Sequence, residues 1–570
     1  MDAVAPPAPS HAGPPAHGLI RHLRANVWPV GALAVASLLA VPLIAVLYLA
    51  MSPSDDIWSH LVSTVLGHYV RTTLLLMLGV GIGTLVIGAG TAWLVTMYRF
   101  PGRRIFEWAL LLPLAVPAYV IAYVYTDLLE YAGPVQGLVR DVFGWTRPQD
   151  YWFPEIRSLG GAVSMMTLVL YPYVYLLTRA SLLEQSVCVL EVSRTLGSGP
   201  WATATRVALP LARPALVVGV SLALMEALND FGTVNYFAVA TFTAGIYDVW
   251  LNMSSTAGAA QLAVVLLMFV LVLIAAERLA RRGQRYHHTT SRYRALPNRR
   301  LRGPAGWLAT LACLAPVGLG FLLPASVLAL YSARDPGTAA NPTFLAYAFN
   351  SIGLATAAAL LALALGLVLA YGMRLDGGPV LKAAARFAGA GYAVPGAVLA
   401  VGVMIPLTGL DNTVDGFLRR TIGVSTGLLL SGTVAAVVFG YVIRFLALTL
   451  GTVDAALAKI APGIDGAART LGAGPGRTLM AVHLPMLRGS LLTAGLLVFV
   501  DCMKELPMAM LLRPFNFETL ATYVHQLASD ELLEEAAPGA LAIVLAGIVP
   551  VVLLSTAIRR ARPGQSAPGR

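Results

Sequence analysis

The chain has 570 residues, 57% of them hydrophobic and only 12% charged, with a mean hydropathy of +0.74. That composition excludes a soluble globular protein and marks a chain whose solvent is mainly lipid. A formal net charge of +11 would suit a nucleic-acid binder, but the basic residues sit in short loops between apolar runs, where they report membrane topology instead.

Residues 1–26 begin with a Pro- and Ala-rich stretch without apolar periodicity and read as a disordered cytoplasmic tail. The apolar run from Val27 is too long for a signal-peptide core and lacks a small-residue cleavage site, so it is expected to be the first span. A bilayer core of about 30 Å needs roughly 20 apolar residues in a helix, since an open backbone facing lipid leaves its polar groups unsatisfied. Runs of that length occur near Val27–Met51, Thr72–Tyr98, Trp108–Leu128, Leu159–Leu177, Pro214–Asn235 and Ala259–Leu279. A second set covers Trp307–Tyr331, Ser351–Met373, Ala385–Thr408, Gly423–Leu448, Ser490–Leu512 and Pro538–Ile558. The expected fold is therefore an all-α polytopic membrane protein with twelve transmembrane helices. Placing both termini in the cytoplasm puts about 30 Lys and Arg residues on the inner side and about 8 outside, with Lys504 left within a span.

The nine arginines between Arg278 and Arg302 mark a basic linker, assigned to residues 281–306, held near anionic lipid headgroups. It separates two repeats, residues 27–280 and 307–558, followed by a cytoplasmic tail, 559–570. RTLGSGP at Arg194–Pro200 recurs 275 positions later as RTLGAGP at Arg469–Pro475, and Leu209-Pro210 and Arg213 recur as Leu484-Pro485 and Arg488. Earlier in each half, Val116-Pro117 and Gly88 match Val394-Pro395 and Gly366 at an offset of 278. With six spans each, an even number, the halves run parallel.

The loop after the fourth span of each half, 182–213 and 457–488, is patterned like folded structure. Leu182–Leu196 and Trp201–Ala208 read as helices broken at Gly197 and at Gly199-Pro200, and the second half repeats this over Leu457–Leu471 and Gly476–His483. Glycine lets the backbone turn with positive φ, and proline opens the next span. EVSRTLGSGPWATATRVALPLARPAL and GAARTLGAGPGRTLMAVHLPMLRGSL resemble the EAA loops of ABC-importer permeases, a resemblance that extends over nearly the whole chain. It implies the type I importer architecture and a short coupling helix that docks on an ATP-hydrolysing partner. It assigns ATPase coupling to Glu191, Arg194, Gly197 and Pro210, and to Asp465, Arg469, Gly472 and Pro485. In the second copy Gly466 stands where the motif has its Glu, with Asp465 one residue earlier.

About twelve residues into spans five and eleven, roughly 18 Å at 1.5 Å per residue, the chain reads MEALNDFGTVNYF and VDCMKELPMAMLL. Glu226, Asn229 and Asp230 thereby match Asp501, Lys504 and Glu505. An ionised side chain at the centre of a span costs about 2.5–3.5 kcal/mol on insertion scales, so these groups are expected to face the bundle interior. The i,i+4 spacing puts each carboxylate pair on one helix face, with Lys504 neutralising part of the charge. Two readings stay open together: a net acidic translocation pathway or gate suited to a hard cation, and a network that fixes helix packing. The same segments resemble the fused permeases of ferric-iron importers. That resemblance implies a periplasmic binding protein delivering Fe³⁺, a homodimeric ABC ATPase on the cytoplasmic side, location in a bacterial inner membrane, and transient Fe³⁺ contact at Glu226, Asp230, Asp501 and Glu505. Permeases for thiamine, phosphonate, sulfate or polyamines share the architecture and remain alternatives.

Other candidates are read as structural. Tyr119, Tyr123, Tyr125, Tyr171, Tyr173 and Tyr175 supply packing and hydrogen bonds, and Cys188, Cys313 and Cys502 pack without forming a disulfide or metal site. His287-His288 lies in the linker without partner ligands. Lys382, Lys459 and Lys504, the three lysines, follow Leu, Ala and Met, so no Walker A lysine exists; the chain is no ATPase and binds no cofactor, ATP and Mg²⁺ belonging to the partner. An ion-gradient-driven secondary transporter is the alternative from another class, with the intramembrane acids as proton relays.

Overall fold

In the computed structural model, residues 17–53, 57–184, 193, 195–197, 199–281, 299–375 and 378–560 are described. Ten helices among them are long and apolar enough to cross a membrane, and two further pairs qualify only as bent units. The bent pairs are Arg103–Ala115 with Ala118–Phe143, at 90°, and Ala204–Leu211 with Arg213–Asn229, at 70°. The first breaks where Val116 and Pro117 turn extended between a 3₁₀ turn, Leu112–Ala115, and the next helix. Proline disfavours helix for the residue before it and cannot donate to a turn behind it. The expected third span, Trp108–Leu128, is thus not one continuous helix.

The first helix, α1 (His17–Ala50), starts ten residues before the expected boundary at Val27. It is followed by α2 (Leu66–Met97), α3 (Ala118–Leu129), α4 (Pro134–Phe143) and α5 (Leu159–Glu184). Next come α6 (Arg213–Asn229), α7 (Gly232–Tyr236), α8 (Phe242–Leu251) and α9 (Thr256–Arg281). Beyond the linker lie α10 (Pro304–Val317), α11 (Leu323–Arg334), α12 (Pro342–Leu375), α13 (Gly396–Thr421) and α14 (Val434–Ala458). The chain continues with α15 (Pro462–Thr470), α16 (Leu484–Met503), α17 (Pro507–Leu512), α18 (Leu520–Ser529) and α19 (Leu533–Arg560). One departure from an all-helical chain is a two-residue parallel ladder, β1 (Tyr98–Arg99) with β2 (Arg299–Arg300), which ties the end of the linker to the end of α2.

Lipid offers no hydrophobic force between helices, so close packing and hydrogen bonds decide which faces meet. α2 lies along α5 through small residues: a Cβ on Gly79 would stand 2.7 Å from Val163, one on Gly83 2.6 Å from Thr167, and one on Gly88 2.7 Å from Val174 and 2.9 Å from the Tyr171 carbonyl. α12 lies along α14 in the same manner, with a Cβ on Gly366 falling 2.5 Å from the Thr449 hydroxyl. α5 and α14 are the innermost helices, each with 61% of its apolar window buried. The opposite faces carry Leu74, Leu78, Ile82 and Val86 on α2 and Leu360 and Leu361 on α12, all exposed as a lipid-facing surface must be.

The first helix of each part packs on the other part. α1 lies against α9, but also against α12 and α13, where Gly402 meets the Pro42 carbonyl and Gly372 meets Ala32. The α10–α11 segment, joined by a π turn at Gly318–Leu322, packs against α3, α5 and α19. There Tyr125 donates to the Leu319 carbonyl at 2.8 Å and Tyr331 to the Asp127 carboxylate at 2.6 Å.

Candidate functional site: two elbows and a carboxylate cluster

Of the residues assigned to coupling, Glu191 and Arg194 lie outside the described residues, as do Cys188 and the His287-His288 pair. Gly197 and Gly472 have φ of +81° and +79°, the left-handed region that glycine enters without a Cβ penalty. At the second elbow this is a complete Schellman stop: the Ala473 N–H reaches the Ala468 carbonyl at 2.9 Å and the Gly472 N–H the Arg469 carbonyl at 3.0 Å. The leucine before each glycine points outward, Leu196 at 79% and Leu471 at 85% exposure.

The second arm of each elbow is a single α turn, Pro200–Thr203 or Pro475–Thr478, running into a π turn, Ala204–Ala208 or Leu479–His483. Pro210 and Pro485 lie just after. Each lacks the N–H that would close an i→i−4 bond, and the preceding turn widens. The expected single helix Leu457–Leu471 is in fact two, α14 ending at Ala458 and α15 beginning at Pro462. Pro462 cannot continue the helix of Ala458, and Ala461 before it is extended.

Asp465 faces inward, toward the bundle. Its carboxylate lies 2.7 Å from Arg374 Nη2 at the end of α12 and 2.7 Å from Nε2 of the fully buried His483. Arg374 also donates to the Leu457 and Ile460 carbonyls, at and just beyond the end of α14, and Tyr371 donates to the Pro475 carbonyl at 2.7 Å. The second elbow is therefore pinned to α12 by a polar cluster. At the matching positions the first half has Ala208 for His483 and Thr96 for Arg374. Arg469, Pro210 and Pro485 are exposed.

The acidic spans do not carry their carboxylates on one helix face. α6 ends at Asn229, and Asp230 is extended at φ −66°, ψ 131°. α16 ends at Met503, with Lys504 as its cap. The i,i+4 expectation fails for the same reason in both: each acid begins a new short helix. Asp230 accepts from the Thr233 and Val234 N–H groups at 2.9 and 3.2 Å and from the Thr233 hydroxyl at 3.0 Å, which caps α7. Glu505 accepts from the Met508 N–H at 3.3 Å at the start of α17, where Pro507 blocks continuation of α16.

Every group in the cluster is engaged. Tyr392 donates to Glu226 at 3.0 Å, and Lys504 lies 2.8 Å from Asp501. Asn229 Oδ1 accepts from the Gly396 N–H at 2.5 Å and from Arg444 Nη1 at 2.6 Å. Arg444 Nε is 3.5 Å from Glu505 Oε2, without hydrogen-bond geometry. Gly396 opens α13 close against the cluster: a Cβ there would stand 2.7 Å from the Glu505 carboxylate and 2.9 Å from the Arg444 guanidinium, so that one or both would have to shift. A cavity of about 90 Å³, room for a few waters, borders the cluster and is lined by Glu226, Asn229, Asp230, Lys504, Glu505 and Tyr119, among others. Four carboxylates face two cations, so the locality is net acidic. Among the described residues, no three His, Cys, Asp or Glu side chains are gathered as a metal-holding group.

Two members of this cluster escaped sequence reading. Arg444 falls within the expected tenth span, Gly423–Leu448, and sits eleven residues into α14; the rule that singles out Lys504, a charge inside an apolar run, singles it out equally. Tyr392 carries no sequence signal beyond its place just before Val394-Pro395. Three of the tyrosines make hydrogen bonds: Tyr123 pairs with His525 at 2.5 Å, Tyr125 donates to the Leu319 carbonyl and Tyr175 to the Glu107 carbonyl at 3.0 Å, whereas the buried hydroxyls of Tyr119 and Tyr171 have no partner among the described residues. Cys313 and Cys502 are free and buried.

Repeated elbows on a polytopic helical bundle, with a buried polar cluster between its parts, define a membrane transport subunit. Residues 84–285 match the family model of the binding-protein-dependent transport system inner membrane component. The chain is 26% identical over 508 residues to the Fe(3+)-transport system permease protein FbpB 2 of Haemophilus influenzae, covering 86% of this chain and 90% of that one. It is 28% identical over 205 residues to the molybdenum transport system permease protein ModB of Escherichia coli, 35% of this chain and 86% of that one. It is 31% identical over 205 residues to the sulfate transport system permease protein CysT of Escherichia coli, 36% of this chain and 71% of that one. The chain belongs to this family: it is a multi-pass inner-membrane permease subunit of an ABC transporter, whose membership implies a periplasmic binding protein and an ATPase as partners. The ion-gradient-driven alternative is thereby set aside.

Proposed function

We propose that the chain is the fused permease of a ferric-iron importer, with two parallel six-helix repeats making twelve spans and both termini in the cytoplasm. The net acidic cluster between the repeats carries the substrate reading: a hard cation prefers oxygen ligands, and Glu226, Asp230, Asp501 and Glu505 supply them against only Lys504 and Arg444. Likeness to an Fe(3+) permease over most of both chains supports the same choice. The molybdenum and sulfate permeases match only about a third of the chain; an oxyanion is the second reading, with thiamine, phosphonate and polyamine behind it.

The matched φ values at Gly197 and Gly472, the paired π turns and the paired caps at Asp230 and Glu505 support the repeat. A homodimeric ATPase docks on both elbows from the cytoplasm, with Leu196 and Leu471 as apolar knobs. ATP-driven closure moves the elbows, the helices that follow them carry the motion to the cluster, and the pathway opens toward the loaded binding protein. Glu191, Arg194, Gly197, Pro210, Arg469, Gly472 and Pro485 serve coupling. Asp465 serves it from inside, by holding the second elbow to α12.

The test is uptake into proteoliposomes holding the full complex, with the binding protein loaded in turn with ferric iron, molybdate, sulfate, thiamine and a phosphonate. Uptake of ferric iron alone is expected; uptake of an oxyanion in its place overturns the substrate reading. Glu226→Gln with Asp501→Asn is expected to abolish uptake in a folded protein, and undiminished uptake would sink the pathway assignment.

A further inference from the structure

Arg444 is 3% exposed in the middle of an apolar helix. A guanidinium cannot shed its proton, and one placed there must be held by partners. Its partners come from two directions. Asn229, at the end of α6, takes Nη1 at 2.6 Å, while Glu505, after α16, lies 3.5 Å from Nε in a contact that uses none of the fork geometry by which arginine grips a carboxylate. Lys504 holds Asp501 at 2.8 Å with both side chains about a quarter exposed, 26% and 22%. Each cation of the cluster thus rests on a carboxylate, and neither pair is locked.

Neither cation has a twin. At the two offsets that relate the halves, Arg444 corresponds to Met166 or Val169, and Lys504 to Asn229. Met166 and Val169 both line the cavity, together with Tyr119, Tyr173 and three of the carboxylates. Arg444 fills the space beside the acids on α14, whereas beside Met166 and Val169 on α5 the space is a small cavity with Lys504 at its border.

We propose that Arg444 and Lys504 are tethered counter-ions: they occupy the carboxylates while the pathway is closed, and a multivalent cation crossing between the halves takes their place. Closed and empty, the cluster then offers its acids to no stray monovalent ion. When the halves separate, Arg444 loses Asn229 and leaves with α14, and the acids are freed for the substrate. This rests on the pathway reading above, and it adds a task to two residues of which one, Arg444, no motif contains.

The experiment measures passive leak of protons and K⁺, by entrapped dyes, in proteoliposomes of the full complex without ATP, binding protein or substrate. Arg444→Gln and Lys504→Gln are expected to raise the leak severalfold over the unmodified complex, and Arg444→Lys to stay sealed. Arg444→Gln combined with Glu505→Gln, which removes the charges as a pair, is expected to restore the seal. A tight membrane in both single Gln variants overturns the proposal, and so does a paired variant that leaks as much as Arg444→Gln, which would mark a packing breach. Should Arg444→Gln fail to assemble, the more exposed Lys504→Gln decides alone. The pathway reading fails separately: Glu226→Gln with Asp501→Asn would then keep its uptake, whatever the leak shows.

Discussion

Replacing Asn229 with alanine removes one oxygen that two buried donors share, the Gly396 N–H at 2.5 Å and Arg444 Nη1 at 2.6 Å. The first bond is an ordinary interhelical contact, worth about 0.6 kcal/mol on average in a membrane protein and ~1.7 kcal/mol at most. The second is not ordinary. A hydrogen bond to a charged group is worth about 1.5–3 kcal/mol, and this guanidinium is only 3% exposed. Together they set the expected loss for Asn229→Ala at about 2–5 kcal/mol. The assay is thermal unfolding of the purified permease in lipid nanodiscs, beside Asn229→Asp, which keeps an acceptor facing Arg444 and is expected to lose much less. ATP hydrolysis by the full complex without loaded binding protein is expected to rise in Asn229→Ala, since the closed arrangement loses its cross-link. A loss below about 0.6 kcal/mol, the average for any interhelical bond, with Asn229→Asp no better, would refute the view that this oxygen joins the two parts.

Three further expectations follow from the same geometry. Gly88→Ala forces a Cβ against Val174 and the Tyr171 carbonyl and is expected to cost about 1–3 kcal/mol by overpacking, whereas Gly90→Ala, with open space around it, is expected to cost nothing measurable; equal melting temperatures would contradict the α2–α5 contact. Gly197→Ala and Gly472→Ala have free room for a methyl group but positive φ, so each is expected to lose about 1–2 kcal/mol and to weaken uptake per ATP hydrolysed, with Asn milder than Ala at both sites. Asp465→Ala leaves Arg374 with carbonyl partners only and takes the carboxylate from His483; breaking a buried pair costs about 3–5 kcal/mol, discounted here to roughly 2–3 kcal/mol because the Asp465 and Arg374 side chains keep 20% and 15% exposure. Thermal unfolding of Asp465→Ala beside Arg469→Ala, an exposed neighbour, checks it: the two should differ sharply.

Much of this architecture was legible because lipid imposes a coarse rule, length and apolarity, that single residues obey visibly. The elbows were legible for a different reason: Gly and Pro at fixed spacing state backbone conformation directly, and Gly472 does stop α15 where the pattern said a helix must end. What the sequence concealed is where helices break inside a span. MEALNDFGTVNYF has helical spacing throughout, yet Asp230 leaves the helix because its carboxylate finds the N–H groups of the next turn, and that choice depends on tertiary room for α7. The setting of Asp465 was concealed in a related way. Its place beside the motif assigns it to coupling without a direction, and the partners that turn it inward, Arg374 and His483, lie 91 and 18 residues away. Arg444 lies inside the expected tenth span and carries the same signal as Lys504, but nothing in the sequence points to Asn229 and Glu505 as its partners.

The interlocking of α1 with α12 and α13 sets a schedule for synthesis. A chain made at about 5–20 residues per second finishes α1 and then takes roughly 15–60 s to reach the start of α12 at Pro342. For that interval the first helix waits in the bilayer with the faces around Ala32, Ala36 and Pro42 covered by lipid or by α9 alone. Joining the two parts in one polypeptide guarantees that the late partner arrives beside the early one, a meeting that two separate chains would have to achieve by diffusion through the membrane.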